Sequence, residues 1–265
     1  MRNIKLVIEY DGSFYCGFQK QKKDGILTVQ DEIEYILNRV LKQEIETIGS
    51  GRTDSGVHAL NQVVSFKYDG DVTTNEIQRA LNAMLHGKII IKSCEDVPLD
   101  FHARFSAKKR TYRYYILNRK LYPSIGYNYV FNLRDKLDID IMKQGAKLFI
   151  GEKDFLAFSS STDKDKPTIR KVFDSTIYTG KEFIEKYGNI DIPIRNSWIE
   201  DLVIYEVTAN GFLRSMVRLM TGTLIRIGRK KGSLNEITEA LRTKNQALVH
   251  NPAPAHALFL TNVEY

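Results

Sequence analysis

Residues 4–10 alternate apolar and polar positions and are rich in β-branched side chains, the period-two signature of a half-buried strand. Asp11-Gly12-Ser13 then turns the chain. From Thr28 the spacing changes: Val29, Ile33, Ile36, Leu37, Val40 and Leu41 recur at helical intervals and form one buried stripe. Strand-like runs at 44–50 and 63–68 flank a glycine-rich loop at 51–59. Residues 73–85 predict a second helix, in which Thr73 and Glu76 suit a capping box and Ile77, Leu81, Met84 and Leu85 share a face. Residues 88–93 close this half as a strand. The order β-α-β-β-α-β is that of a split, ferredoxin-like motif.

The second half repeats that order less clearly. Residues 110–118 predict a strand, and Ile139, Met142, Ala146, Phe149 and Ile150 mark a helix stopped by Gly151. Strands are expected at 169–179 and 198–209, and 163–167 (Asp-Lys-Asp-Lys-Pro) as a solvated loop. A strong helix is expected over 212–228, a short one capped by Ser233 and Glu236, and a closing strand over 258–265. The pattern predicts an α+β protein of two ferredoxin-like halves with antiparallel sheets around a central basic cleft. The division falls into 1–105, carrying the loop at 51–59, and 106–265, carrying the basic helix.

Composition narrows the partners. The 265 residues include 39 Lys and Arg against 32 Asp and Glu, a formal net charge of +7, which is compatible with a polyanion but also with ordinary solubility charge. Cys16 and Cys94 are too few for a disulfide framework or a metal cluster. The N-terminal residues lack a signal-peptide core, and no apolar run is long enough to span a bilayer, so a cytoplasmic protein away from membranes is expected.

Charge is concentrated in two stretches. Residues 104–120 hold Arg104, Lys108, Lys109, Arg110, Arg113, Arg119 and Lys120 with no acidic residue, and Phe105, Tyr112, Tyr114 and Tyr115 are interleaved among them. Cations engage phosphates and aromatic faces stack on unpaired bases, a mixture that suits RNA. The same tyrosines also suit a strand's core, and period two puts Arg110, Tyr112 and Tyr114 on one face, Arg113 and Tyr115 on the other. The second stretch is the helix over 212–228. Its Arg214, Arg218 and Gly222 lie off the apolar stripe, so Arg218 either snorkels to water or is held inward where the glycine permits close packing.

The loop at 51–59 reads Gly51-Arg52-Thr53-Asp54-Ser55-Gly56-Val57-His58-Ala59. A carboxylate between glycines, held between strands, is positioned as a reacting group must be, although a lone Asp-Ser-Gly also makes a simple Asx turn. The nine-residue string resembles the catalytic loop of the TruA family of tRNA pseudouridine synthases, G-R-T-D-x-G-V-H-A. Family-like blocks continue at 101–114 (F-H-A-R-F-S-A, then R-x-Y-x-Y), at 212–218 (F-L-x-x-M-V-R) and at 253–260.

The resemblance implies isomerisation of uridine to pseudouridine in the anticodon arm of tRNAs, with the same chemistry on ribosomal RNA or a catalytically silent RNA binder as alternatives. It implies Asp54 as nucleophile, Arg218 as its ion-pair partner, Arg52 in base extrusion, and Tyr112 and Leu258 packing at the target base. Lys108, Lys109 and Arg110 are expected to bind RNA, and His58 to buttress the loop. No metal and no cofactor are expected, and no nucleotide-binding glycine fingerprint, Cys/His ligand set or Ser-His-Asp elbow is present. A homodimer is implied, its contacts in the second domain. Phe18, His86, Lys153 and Ala257 stand where the family usually has Trp, Pro, His and Gly.

Overall fold

Strand β1, Arg2–Tyr10, organises the first half: Ile4, Leu6 and Ile8 are fully buried while its intervening residues are partly open. It pairs antiparallel with β3 (His58–Tyr68), Leu6 opposite Val64, and on its other edge with β4 (Ile89–Val97), Leu6 opposite Cys94. The short β2 (Ile48–Gly49) also pairs with β3, so only two residues of the run at 44–50 join the sheet. Helix α1 (Val29–Leu41) opens on Thr28, whose hydroxyl accepts from the Asp31 N–H. Helix α2 (Thr74–Met84) opens on the reciprocal Thr73–Glu76 capping box that the sequence announced. Their buried Val29, Ile33, Leu37, Ile77 and Leu81 complete a core with β1.

The computed structural model describes residues 1–21, 25–160 and 167–265, so all but Pro167 of the charged loop expected at 163–167 lies outside the described residues. The chain forms two units, Met1–Arg110 with Phe259–Tyr265, and Thr111–Leu258, where the sequence reading divides it between 105 and 106. The return of 259–265 to the first unit comes from β10 (Leu258–Glu264), which runs parallel to β3 with Phe259 opposite His58 and Leu260 opposite Ala59.

The second unit takes up β5 (Lys109–Leu117) from Thr111 onward. β6 (Phe131–Asn132) pairs parallel to it. β9 (Leu202–Ala209) lies between β5 and β8 (Ile169–Thr179), and β7 (Gly151–Asp154) pairs antiparallel with β8. Helices α3 (Ile139–Lys147), α4 (Gly180–Tyr187), α5 (Met216–Gly228) and α6 (Leu234–Thr243) complete an α+β protein. Two boundaries differ from the sequence pattern. α5 begins at Met216, not at 212, because Ser215 adopts a left-handed φ of 57° at its N-cap. The strand expected from 198 begins at Leu202, after a 3-10 turn over Asn196–Asp201 that buries Trp198.

Candidate active site

The loop at 51–57 is built from its ends inward. At its entrance the Ser50 N–H donates to the Val63 carbonyl at 2.7 Å, and Gln62 Nε2 donates to the Gly51 carbonyl at 2.8 Å. At its tip the Val57 N–H donates to the Asp54 carbonyl at 3.1 Å, closing a turn with Gly56 at φ 78°. Residues 10–18 clamp the same loop. Tyr10 Oη and Thr53 Oγ1 share a hydrogen bond of 2.8 Å, the Phe18 N–H reaches the Thr53 carbonyl at 3.2 Å, and Ser55 Oγ donates to the Tyr15 carbonyl at 3.3 Å. Gly12 lies flat on the loop: a Cβ there would sit 2.1 Å from the Val57 carbonyl oxygen.

His58 fixes the exit. It is 1% exposed, its Nδ1 accepts from the Gly12 N–H at 3.1 Å, and its ring stacks on Phe259 with centroids 4.5 Å apart. The imidazole is thus engaged on both its edge and its face. The result is a backbone that leaves little freedom to the half-buried Asp54, with Arg52 exposed two residues before it.

The basic stretch sorts into different roles. Arg110 is 7% exposed; its Nε and Nη2 donate to the Ser50 carbonyl at 3.0 and 2.6 Å, and Nη2 also to the Arg104 carbonyl at 2.7 Å. Its guanidinium therefore ties residues 104 and 50 together from within. The Lys109 ammonium pairs with Glu264 at 3.0 Å. Lys108 is exposed, its N–H donating to the Glu264 carbonyl at 2.8 Å. Arg113 lies in the second unit, bonded to Glu206 at 2.7 Å and Asp191 at 2.8 Å, with its guanidinium against the neighbouring rings of Phe183 and Tyr187. Burial works against its charge, but these carboxylates hold the guanidinium above its ordinary range.

The second unit carries Tyr112, Arg218 and Leu258. Tyr112 is 6% exposed and meets Phe212 edge to face at 5.1 Å. Arg218 Nε donates to the Ala253 carbonyl at 2.8 Å, and the Ala253 N–H returns to the Arg218 carbonyl at 2.9 Å. The approach that allows this is at Gly222, where a Cβ would fall 2.1 Å from the Asn251 carbonyl oxygen. Tyr114 Oη donates to the Pro254 carbonyl at 2.9 Å; burial raises its pKa, and the Arg218 charge opposes that rise. A 3-10 turn over Ala255–Ala257 then delivers the buried Leu258. Arg218, Tyr114 and residues 253–258 thus form one network.

The departures from the family pattern have local reasons. His86 has φ 48° and precedes Gly87 at φ 76°, a left-handed turn that a proline ring, fixed near −65°, cannot enter. Phe18 packs against the bare Cα of Gly49. Lys153 donates to the Leu148 carbonyl, and burial lowers its pKa. Ala257 is fully buried. Among the described residues no cluster of three or more His, Cys, Asp or Glu is arranged to hold a metal ion, and no helix is long and apolar enough to cross a membrane.

The contributions of Tyr10 and Gln62, which position the loop, carry no mark in the sequence pattern, because their partners lie 43 and 11 residues away at no regular spacing. A rigid, glycine-lined carboxylate loop on an α+β scaffold belongs to a recognisable group: the family model described as tRNA pseudouridine synthase matches residues 6–106 and 146–265, and the chain belongs to that family. Curated relatives match from end to end. The chain is 38% identical over 264 residues to tRNA pseudouridine synthase A 2 of Clostridium tetani, covering 100% of this chain and 99% of the relative. It is 38% identical to tRNA pseudouridine synthase A of Caldicellulosiruptor bescii and 36% to that of Clostridium acetobutylicum, each over 265 residues and 100% of both chains.

Proposed function

We propose that this protein isomerises uridine to pseudouridine in tRNA, with the Asp54 carboxylate as nucleophile. The observation that carries the reading is the loop at 51–57, every turn of which is clamped by residues 10–18 and 62–63, so that one half-buried carboxylate is held in place. The isomerisation breaks the N1–C1′ glycosidic bond and forms a C5–C1′ bond; the C5 proton leaves and N1 gains one, so no atom of the base beyond a proton is exchanged. The reaction thus calls for a nucleophile, a cation that keeps it ionised, and a wall to receive an extruded base.

Asp54, Arg218 and Tyr112 fill these roles in our reading, with Leu258 beside the base and Arg52 helping to extrude it. Lys108 and Lys109 grip the RNA backbone, and Arg110 acts from beneath by holding the loop. The ferredoxin-like reading draws support in the first half from the element order and from β4-β1-β3 with β2 on the β3 edge, whereas in the second half β9 lies between β5 and β8. The relatives' names support tRNA as the substrate, and the family resemblance is the reason for reading the protein as a cytoplasmic homodimer. Purified protein incubated with tRNA transcripts tritiated at uridine C5 should release tritium, with pseudouridine mapped to the anticodon arm. Product found only in ribosomal RNA would overturn the substrate and leave the chemistry standing.

A further inference from the structure

The basic stretch at 104–120 contains four aromatic residues, and the structure treats them unequally. Tyr112, Tyr114 and Tyr115 are buried, whereas Phe105 is 75% exposed, among the most open of the large apolar side chains. An exposed phenyl on a frayed loop would mean little. This one sits on a turn whose backbone is bonded throughout. The N–H groups of Arg104 and Phe105 both donate to His102 Nδ1, at 3.1 and 3.2 Å, and the Ser106 N–H donates to the His102 carbonyl at 2.9 Å. Ser106 Oγ accepts from the His102 N–H at 3.1 Å, and Tyr265 Oη donates to the Ala103 carbonyl at 2.7 Å. The His102 ring backs the phenyl at 4.3 Å between centroids, and the Arg104 guanidinium lies 5.5 Å from its centre.

Arg110 joins this turn to the catalytic loop. One guanidinium nitrogen bonds both the Arg104 carbonyl and the Ser50 carbonyl, immediately before the loop at 51–57. The phenyl is therefore presented at a fixed place relative to Asp54, and the exposed Arg104 and Lys108 lie within three residues of it. An open aromatic face with cations beside it fits an unpaired nucleobase between phosphates. We infer that Phe105 is a stacking platform for an unpaired base of the RNA substrate, flanked by Arg104 and Lys108 as phosphate contacts. The proposal rests on the RNA-modifying reading above and adds a binding subsite to it.

Two variants test it, with a tRNA transcript as probe. Phe105→Ala should weaken binding roughly 5- to 150-fold, the range for loss of one base–aromatic stack, with an unchanged salt slope because no charge is removed. Phe105→Tyr should restore affinity. Phe105→Trp should show fluorescence quenching on addition of RNA, with the buried Trp198 as internal reference. Wild-type affinity in Phe105→Ala, or unquenched fluorescence at saturating RNA, would overturn the platform. So would a change in oligomeric state at unchanged RNA affinity, since the ring would then serve a second protein chain. Tritium release by the wild-type protein, measured alongside, separates failure of the platform from failure of the enzymatic reading.

Discussion

Gly12 and Val57 meet so closely that a methyl group on Gly12 would lie 2.1 Å from the Val57 carbonyl oxygen. Since the neighbour is backbone, Gly12→Ala has to push the catalytic loop away. We expect a loss of about 1–3 kcal/mol of stability, the usual cost of overpacking, and a fall in kcat at nearly constant RNA affinity. Thermal unfolding and single-turnover kinetics check both; an unaltered kcat would mean that the loop tolerates displacement.

Asp54→Asn preserves shape and removes the carboxylate proposed as nucleophile. Turnover should fall by at least about a thousandfold, as for other nucleophile deletions, with RNA binding retained. Tritium release at the wild-type rate would refute the assignment.

Arg218→Leu keeps the α5 helix but removes the guanidinium. If Arg218 holds Asp54 ionised, a charge-assisted pair worth roughly 1.5–3 kcal/mol is lost, and the rate should fall at least about tenfold. Some stability should go too, because the bond to the Ala253 carbonyl disappears. Normal turnover with lowered stability would reduce Arg218 to a prop for residues 253–258.

Lys108 and Lys109 should differ in salt dependence. Lys108 is exposed, whereas Lys109 is paired with Glu264 at 3.0 Å. Lys108→Gln should flatten the plot of log affinity against log salt by about one unit, and Lys109→Gln by less. Equal slopes for the two variants would contradict this division of labour.

Acid should weaken the second unit. Burial would raise the pKa values of Asp154 and Glu182, but Lys244 at 2.8 Å from Asp154, and Lys143 at 2.5 Å from Glu182 with the Thr179 capping box, lower both below the ordinary carboxylate range. A depressed carboxylate stabilises the fold above its unfolded pKa of about 4 and loses that contribution as pH falls through the lower folded value. Tm should therefore drop as pH falls below about 4, and less steeply in Lys143→Met, by circular dichroism.

Periodic features were legible and non-periodic ones were not. Thr28, Thr73 and the stripes of α1 and α2 announced those helices because capping and amphipathicity are local. α4 was missed although Thr179 and Glu182 form a full capping box, since the strand pattern of β8 runs straight into it. β7, four residues long and mostly charged, offers no alternation to read. α5 was read four residues too long because Phe212 and Leu213 extend the apolar stripe, while the left-handed Ser215 that stops it leaves no mark in composition. At the site, Asp54 and its glycines stood out by their chemistry. The inward turn of Arg110 did not, because a buried and an exposed arginine are spelled alike.

Strand β10 supports the catalytic loop through Phe259 on His58, and Asn61 Nδ2 donates to the Thr261 carbonyl at 2.7 Å. These residues are synthesised only after all of 111–258. A chain that has reached only residue 257 thus still lacks the strand that seats His58. The His58 end of the Asp54 loop therefore rests on contacts between residues about 200 positions apart in the chain, which no segment nearer in sequence supplies.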